Sequence, residues 1–379
     1  SEYRCLSFLP LAHIAERIVS HYGHIYFGGQ TWFGGGVDTL KDDLGACRPT
    51  MFFAVPRVYE KVEAALRQRF DEMTGLKSTL VKTGVTIGER VVIATQAGRQ
   101  PGLIDRTAHR LLDHLALSKV REQLGFDKVT DVMSGAAPIT VETLTFFHAI
   151  GVPIREVYGM TEGTGPTTLN PRDKIKIGTV GPAIPGCDVK IAEDGEILFR
   201  GGNVFSGYFK NPDATADTVI DGWLHSGDIG ELDTDGYLKI VGRKKDLIIT
   251  AGGKNVSPQN IESGIKASPL VSQAVIIGDR RKFISALVTL DDEAVGAWAA
   301  ERGIEDPPHD SPAVRELVQS VVDEVNRNLS SAEQVKKFMI LPADLSQETG
   351  ELTPTLKVKR HVIMERYADV IDGMYETPG

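Results

Sequence analysis

The chain lacks the features that mark secreted, membrane-spanning and nucleic-acid-coating proteins. Its 379 residues hold only three cysteines, Cys5, Cys47 and Cys187, far apart and never in a Cys-x-x-Cys pair. An odd, scattered set of thiols excludes a disulfide framework and a zinc site, and fits reduced cysteines in the cytoplasm. No apolar run approaches the ~18 residues that span a bilayer. Ser1-Glu2-Tyr3-Arg4 leads into strand-like sequence without the regions of a signal peptide. There is no initiating methionine either, and a start inside a structural element reads as a truncated chain. Positive charge is in deficit: 42 Lys and Arg against 51 Asp and Glu leave a net charge of −9. That balance argues against nucleic acid or an extended grip on anionic lipid, yet permits a local basic site for a phosphorylated ligand. Repeats and low-complexity tracts are absent. What remains is ordinary globular composition, 41% hydrophobic and 25% charged, in a length that suits two or three domains.

Hydrophobic periodicity organises the chain. Cys5 to Pro10 and Met51 to Val55 read as short buried strands. From Val58 to Gly125 the period is helical. Val58, Val62, Ala65 and Leu66 form one stripe, and Leu103, Ile104, Ala108, Leu111, Leu112 and Leu115 form another, both expected to face the core. Strand and helix then alternate: a strand over Val129 to Met133, a helix over Thr140 to Ile150, a strand over Pro153 to Val157. This rhythm predicts an α/β fold with a mainly parallel sheet. Gly178 to Val241 breaks into short strands between Gly, Pro and Asp and predicts an antiparallel β-rich subdomain, about 178–242. A second α/β segment follows, with strands at Val271 to Ile277 and Ile284 to Leu290 and a helix from Val314 to Leu329. The boundary is placed at Gly242-Arg243-Lys244-Lys245-Asp246, giving a large domain, 1–242, and a small one, 243–379.

Five segments carry candidate chemistry. Ser134-Gly135-Ala136-Ala137-Pro138 joins a strand to a helix through small residues, which lets the backbone approach a flat ligand. Tyr158-Gly159-Met160-Thr161-Glu162-Gly163 follows the next strand, and neighbouring parallel strands open their carboxyl ends onto one crevice. There Tyr158 can stack on a base, Thr161 can donate to a phosphate, and Glu162 can hold Mg²⁺. The plainer alternative is a helix capped by Thr161 with Glu162 answering its dipole. Asp221 through Asp228 offers an aspartate suited to ribose hydroxyls, or an ordinary turn. Gly242 through Ile249 with Gly252-Gly253-Lys254-Asn255 suits a hinge, a phosphate contact or a solvated linker. Leu352 through Arg360 puts lysines on a loop, either a mobile cation or a basic tail.

Together these segments resemble the acyl-adenylate-forming superfamily, and its long-chain fatty acyl-CoA synthetases in particular. Leu9-Pro10-Leu11-Ala12-His13 is similar to the segment before the acyl pocket of the fatty-acyl enzymes. Tyr158 to Glu162 resembles the adenylate-binding motif, and Asp221 through Glu262 the fatty-acyl-CoA synthetase signature. The resemblance implies that Tyr158 stacks on adenine, that Gly135, Ala136, Ala137 and Gly159 line the nucleotide site, that Thr161 meets phosphate and that Glu162 holds Mg²⁺. It assigns ribose to Asp228, a nucleotide contact to Arg243, the hinge to Lys245, the pantetheine approach to Gly253 and the acyl pocket to His13. Lys357, with Arg360 three residues on, matches the catalytic lysine, with Glu162 and Thr161 as its catalytic partners. Leu356 stands where Gly is usual, and Ser226 where Thr is usual. One departure is large: no Ser/Thr/Gly-rich phosphate loop ending in Pro-Lys-Gly precedes Leu9, which implies a carboxyl-terminal portion of a synthetase.

The implied activity is a two-step ligation. A fatty carboxylate attacks ATP to give acyl-AMP and pyrophosphate, and CoA then takes the acyl group and releases AMP. ATP, Mg²⁺ and CoA are the implied cofactors. The small carboxyl-terminal domain is implied to be mobile, swinging between the steps. Peripheral membrane contact through the fatty substrate and a homo-oligomer are compatible with this reading. An adenylating enzyme that loads a carrier protein, and a non-catalytic nucleotide- or acyl-binding fragment, stand as alternatives.

Overall fold

The computed structural model describes residues 3–36, 39–304, 306–353 and 358–376. Two compact units result, Ser1–Ile240 and Val241–Gly379. The first is built on a six-stranded sheet: β1 (Arg4–Ser7), β2 (Gln30–Phe33), β3 (Met51–Ala54), β4 (Asp131–Ser134), β5 (Ile154–Met160) and β6 (Gly165–Leu169), in the order β2-β1-β3-β4-β5-β6. Pairings from β2 to β5 are parallel, and only β5–β6 is antiparallel. The strands are four to seven residues long, and their apolar side chains meet the aromatic cluster of Phe52, Tyr59, Phe146 and Phe147. Tyr59 reconciles burial with its hydroxyl by donating to the Met133 carbonyl at 2.9 Å.

The expected helix over Thr140 to Ile150 forms as Val141–Ala149, capped by Thr140, whose hydroxyl accepts from the Thr143 N–H at 3.1 Å. The expectation for the second apolar stripe is overturned. In the helix Leu103–Leu112, Leu103 and Ile104 are about four-fifths exposed, and Leu111 and Leu115 stand in solvent too. The neighbouring helix Gly75–Gln96 presents a notch at Gly84 and Gly88, and the groups that fill it are Leu112, Leu117, the His109 ring and Ala149. Apolar residues extend around more of this helix than one partner can cover, so periodicity alone chose the wrong arc.

A second sheet carries β7 (Cys187–Ile191), β8 (Glu196–Gly201), β9 (Val219–Ile220), β10 (Trp223–Leu232) and β11 (Leu238–Arg243). Its order is β11-β10-β8-β7, with β9 on β10, and β10–β8 and β7–β8 are antiparallel, as expected for this region. The chain leaving β6 ties it to the first sheet, because Leu169 N–H donates to Pro182 and Leu238 N–H to Gly181.

The second unit holds the hairpin β12 (Ile248–Ile249) and β13 (Asn255–Val256) and the sheet β14 (Val271–Ile277), β15 (Ile284–Leu290) and β16 (Val335–Ile340). Every residue of β15 is buried because the sheet is covered on both faces. Ile284, Ala286 and Val288 meet Val314, Val318 and Val322 of the helix Pro312–Asn326. Leu287 points the other way, toward Ile363 and Ile371. Among the described residues no helix is long and apolar enough to cross a membrane.

Candidate functional site

The site begins where β4 ends, with Ser134 opposite Glu156 in the middle of β5. Beyond β4 the loop turns at Ala136, which sits at φ +69°, a left-handed conformation that costs an L-residue about 1–2 kcal/mol. Gly135 is required by closeness: a Cβ there would stand 2.7 Å from the Val157 carbonyl oxygen. The loop after β4 therefore lies directly against β5. The Ser134 hydroxyl is buried and has no hydrogen-bond partner among the described residues. Glu156 is also buried, and its carboxylate accepts from the Gly178 N–H at 2.9 Å. Burial pushes its pKa up to about 8 against the partial relief of that hydrogen bond.

Tyr158, on β5, donates its hydroxyl to the Asp228 carboxylate at 2.7 Å across 70 residues of sequence. Asp228 lies within an irregularity of β10 where the register to β8 slips between His225 and Ile229. Three groups build that bulge. Ser226 Oγ donates to the Ile197 carbonyl at 2.6 Å and accepts from the Asp228 N–H at 3.1 Å. Gly227 takes φ +70°. Glu196 on β8 accepts from the Gly227 N–H at 2.8 Å and faces His225 Nδ1 at 3.2 Å. Glu196 is not among the residues that the sequence singles out. The signal was there: a carboxylate directly before the apolar run Ile197-Leu198-Phe199 must be buried with the strand and so must have partners.

Thr161–Gly163 is a single 3₁₀ turn between β5 and β6, with Met160 at the capping position. The plainer reading of Thr161 as a helix cap is thereby corrected, because a strand follows. Thr161 is exposed and Glu162 half-buried. Glu162 Oε1 accepts from the Tyr208 hydroxyl at 2.8 Å. Burial and then this carboxylate raise the Tyr208 pKa, which keeps the phenol a donor. Among the described residues no cluster of three or more His, Cys, Asp or Glu could hold a metal. Glu162 fits Mg²⁺ as one hard oxygen ligand beside phosphates and water, the usual arrangement for that ion.

His13 caps the short helix Ile14–Glu16, its Nδ1 accepting from the Ala15 N–H at 3.2 Å. Ile14 and Ile18 of the same segment lie against Gly165, at the start of β6. Tyr158, Gly159, Thr161, Glu162, Asp228 and the Gly135-Ala136-Ala137 loop thus all belong to the first unit. Arg243, Lys245 and Gly253 belong to the second. Arg243 is the last residue of β11, Lys245 is in the exposed 3₁₀ turn Lys244–Asp246, and Gly253 is in the turn between β12 and β13. Lys357 lies outside the described residues. Among the described residues on either side, Leu352 and Val358 form a bridge, and the Lys359 N–H donates to the Glu351 carbonyl at 2.8 Å. Burial opposes ionisation of Glu351, but hydrogen bonds from Thr349, Tyr367 and Ser346 outweigh it and hold the carboxyl below its ordinary pKa. Arg360 is fixed by an ion pair with Glu262.

Comparison with known proteins agrees with this architecture. Residues 1–209 match the AMP-binding enzyme family and residues 245–378 the AMP-binding enzyme C-terminal domain. The chain is 39% identical over 381 residues to long-chain-fatty-acid–CoA ligase FadD15 of Mycobacterium tuberculosis, covering 98% of this chain and 62% of that protein. It is 42% identical over 384 residues to the putative fatty-acid–CoA ligase fadD11 of the same species, covering 98% and 66%. The chain therefore spans about two thirds or less of these relatives' length. In structure it resembles the adenylation domain of a carboxylate reductase from Mycobacterium chelonae, with a TM-score of 0.73 at 22% identity over 99% of this chain and 54% of that one. With both halves of the chain matched in order and the parallel sheet and its antiparallel companion in place, the protein belongs to the AMP-binding enzyme family.

Proposed function

We propose that the protein takes part in ATP-dependent activation of a long-chain fatty acid to acyl-AMP and in transfer of the acyl group to CoA. The observation that carries this reading is the 2.7 Å Tyr158–Asp228 hydrogen bond, which brings the candidate adenine and ribose groups together. The Tyr158 ring stacks on adenine, and the Asp228 carboxylate accepts from ribose hydroxyls. The loop Gly135-Ala136-Ala137 and Gly159 let the base lie flat against backbone, and Thr161 donates to the α-phosphate. Arg243 makes a further nucleotide contact. Mg²⁺, held by Glu162, supplies charge neutralisation on the phosphates when bound.

In the first step a carboxylate oxygen bonds to the α-phosphorus, and the bond from that phosphorus to the pyrophosphate oxygen breaks. Lys357 offsets the negative charge gathered there. In the second step the CoA thiolate bonds to the acyl carbon, and the carbon–oxygen bond to AMP breaks. Lys245 serves as the hinge that exchanges the loop of Lys357 for the pantetheine approach at Gly253, and His13 stands at the acyl pocket. The names of the similar proteins support a long acyl chain and CoA as acceptor.

The test supplies palmitoyl-AMP to the chain with CoA or with a phosphopantetheinylated carrier protein. The reading expects equimolar palmitoyl-CoA and AMP with CoA. Consumption with the carrier alone, or none above the rate of hydrolysis, contradicts it.

A further inference from the structure

We infer that Tyr208 is a positioning residue that sets the Glu162 carboxylate for its metal; this rests on the reading of Glu162 given above. The turn Thr161–Gly163 has no helix behind it to fix its side chains. Its rigidity comes from the loop after β8, which grips it at three points. Asn203 Nδ2 donates to the Gly163 carbonyl at 3.1 Å, the Phe205 N–H donates to the Glu162 carbonyl at 2.8 Å, and the Tyr208 hydroxyl donates to Glu162 Oε1 at 2.8 Å. The first two hold backbone. Only the third holds the carboxylate.

Tyr208 is itself fixed. Its ring packs edge-on against Phe205 with centroids 4.8 Å apart, and its N–H donates to Thr215 Oγ1 at 2.9 Å, on the helix Pro212–Thr218. A glutamate side chain free to rotate loses rotamer entropy when a metal captures it. With Oε1 already engaged by a rigid donor, that loss is taken in folding, and Oε2 is left as the carboxylate oxygen for a cation. Partners that orient a ligand in this way are worth about 10- to 100-fold in metal affinity when removed.

Four proteins test this: the unaltered chain, Tyr208→Phe, Tyr208→Ala and Glu162→Gln. Each is saturated with α,β-methylene-ATP, and Mn²⁺ binding is read from the loss of the free-ion paramagnetic resonance signal. Nucleotide affinity without metal and the unfolding midpoint are measured alongside. Tyr208→Phe keeps the ring and its packing on Phe205, so the inference expects it to weaken Mn²⁺ about 10-fold or more, as much as Tyr208→Ala does, at unchanged metal-free nucleotide affinity. Mn²⁺ affinity unchanged in Tyr208→Phe but reduced in Tyr208→Ala would make Tyr208 mere scaffolding and overturn the inference. Undiminished Mn²⁺ binding in Glu162→Gln instead removes the metal role of Glu162, and the inference falls with it.

Discussion

Glu156 shows most plainly how one residue sets a property of the protein. Its carboxyl is buried beside β4 and raised to about 8 by desolvation, with one N–H from Gly178 as partial compensation. The folded state therefore holds a proton that the unfolded state releases near pH 4.5. The stabilisation is fully present below that pH and is lost as pH rises toward 8. A shift of this size corresponds to stability on the order of 5 kcal/mol. Glu156→Gln retains an acceptor for Gly178 and cannot ionise. Urea unfolding at pH 5 and pH 8 should show stability falling with pH in the unaltered chain and a flatter profile in the variant. Equal slopes would place the protonated carboxyl elsewhere. Other site residues differ in how visible they were. Tyr158 and Asp228 stand in motifs whose resemblance is specific. Glu196 and Tyr208 act on residues 31 and 46 positions away through hydrogen bonds that no local pattern encodes.

Secondary-structure elements were legible where burial leaves an unbroken apolar run in the sequence. β14 and β15 form over the residues their apolar runs marked, because a strand covered on both faces reads as a continuous hydrophobic run. The helix Leu103–Leu112 was misread because its apolar arc exceeds the notch at Gly84 and Gly88 that receives it. The bulge in β10 was invisible for a related reason, since it depends on Glu196 from another strand. Two predictions belong to this scale. Gly135→Ala places a methyl against the Val157 carbonyl and should cost about 1–3 kcal/mol in urea unfolding. It should also weaken AMP binding, since the loop after β4 must move off β5; normal stability and affinity would show that the two do not touch as described. Lys245→Pro fixes φ in the turn Lys244–Asp246. It should leave acyl-AMP binding intact while CoA-dependent consumption of supplied acyl-AMP falls on the order of 100-fold. A folded variant that makes thioester at the normal rate would identify the turn as a passive linker.

For the whole molecule, β2 is the edge of the parallel sheet, and its last residue, Phe33, is 79% exposed. An apolar edge of this kind is a template for association. Sedimentation should therefore show concentration-dependent self-association that Phe33→Lys reduces; a monomer at every concentration would contradict this.

The central claim concerns the adenylate. In the proposed reading Tyr158, Asp228 and Thr161 receive adenine, ribose and the α-phosphate, so AMP binding by this chain should be robust. The most direct measurement is a calorimetric titration of AMP into the unaltered chain and into Asp228→Ala. The account predicts one AMP per chain and a loss of about 10-fold or more in the variant, the scale of hydrogen bonds to a charged acceptor. A folded chain that binds no AMP, or a variant that binds it equally well, would contradict the assignment of this pocket to the adenylate.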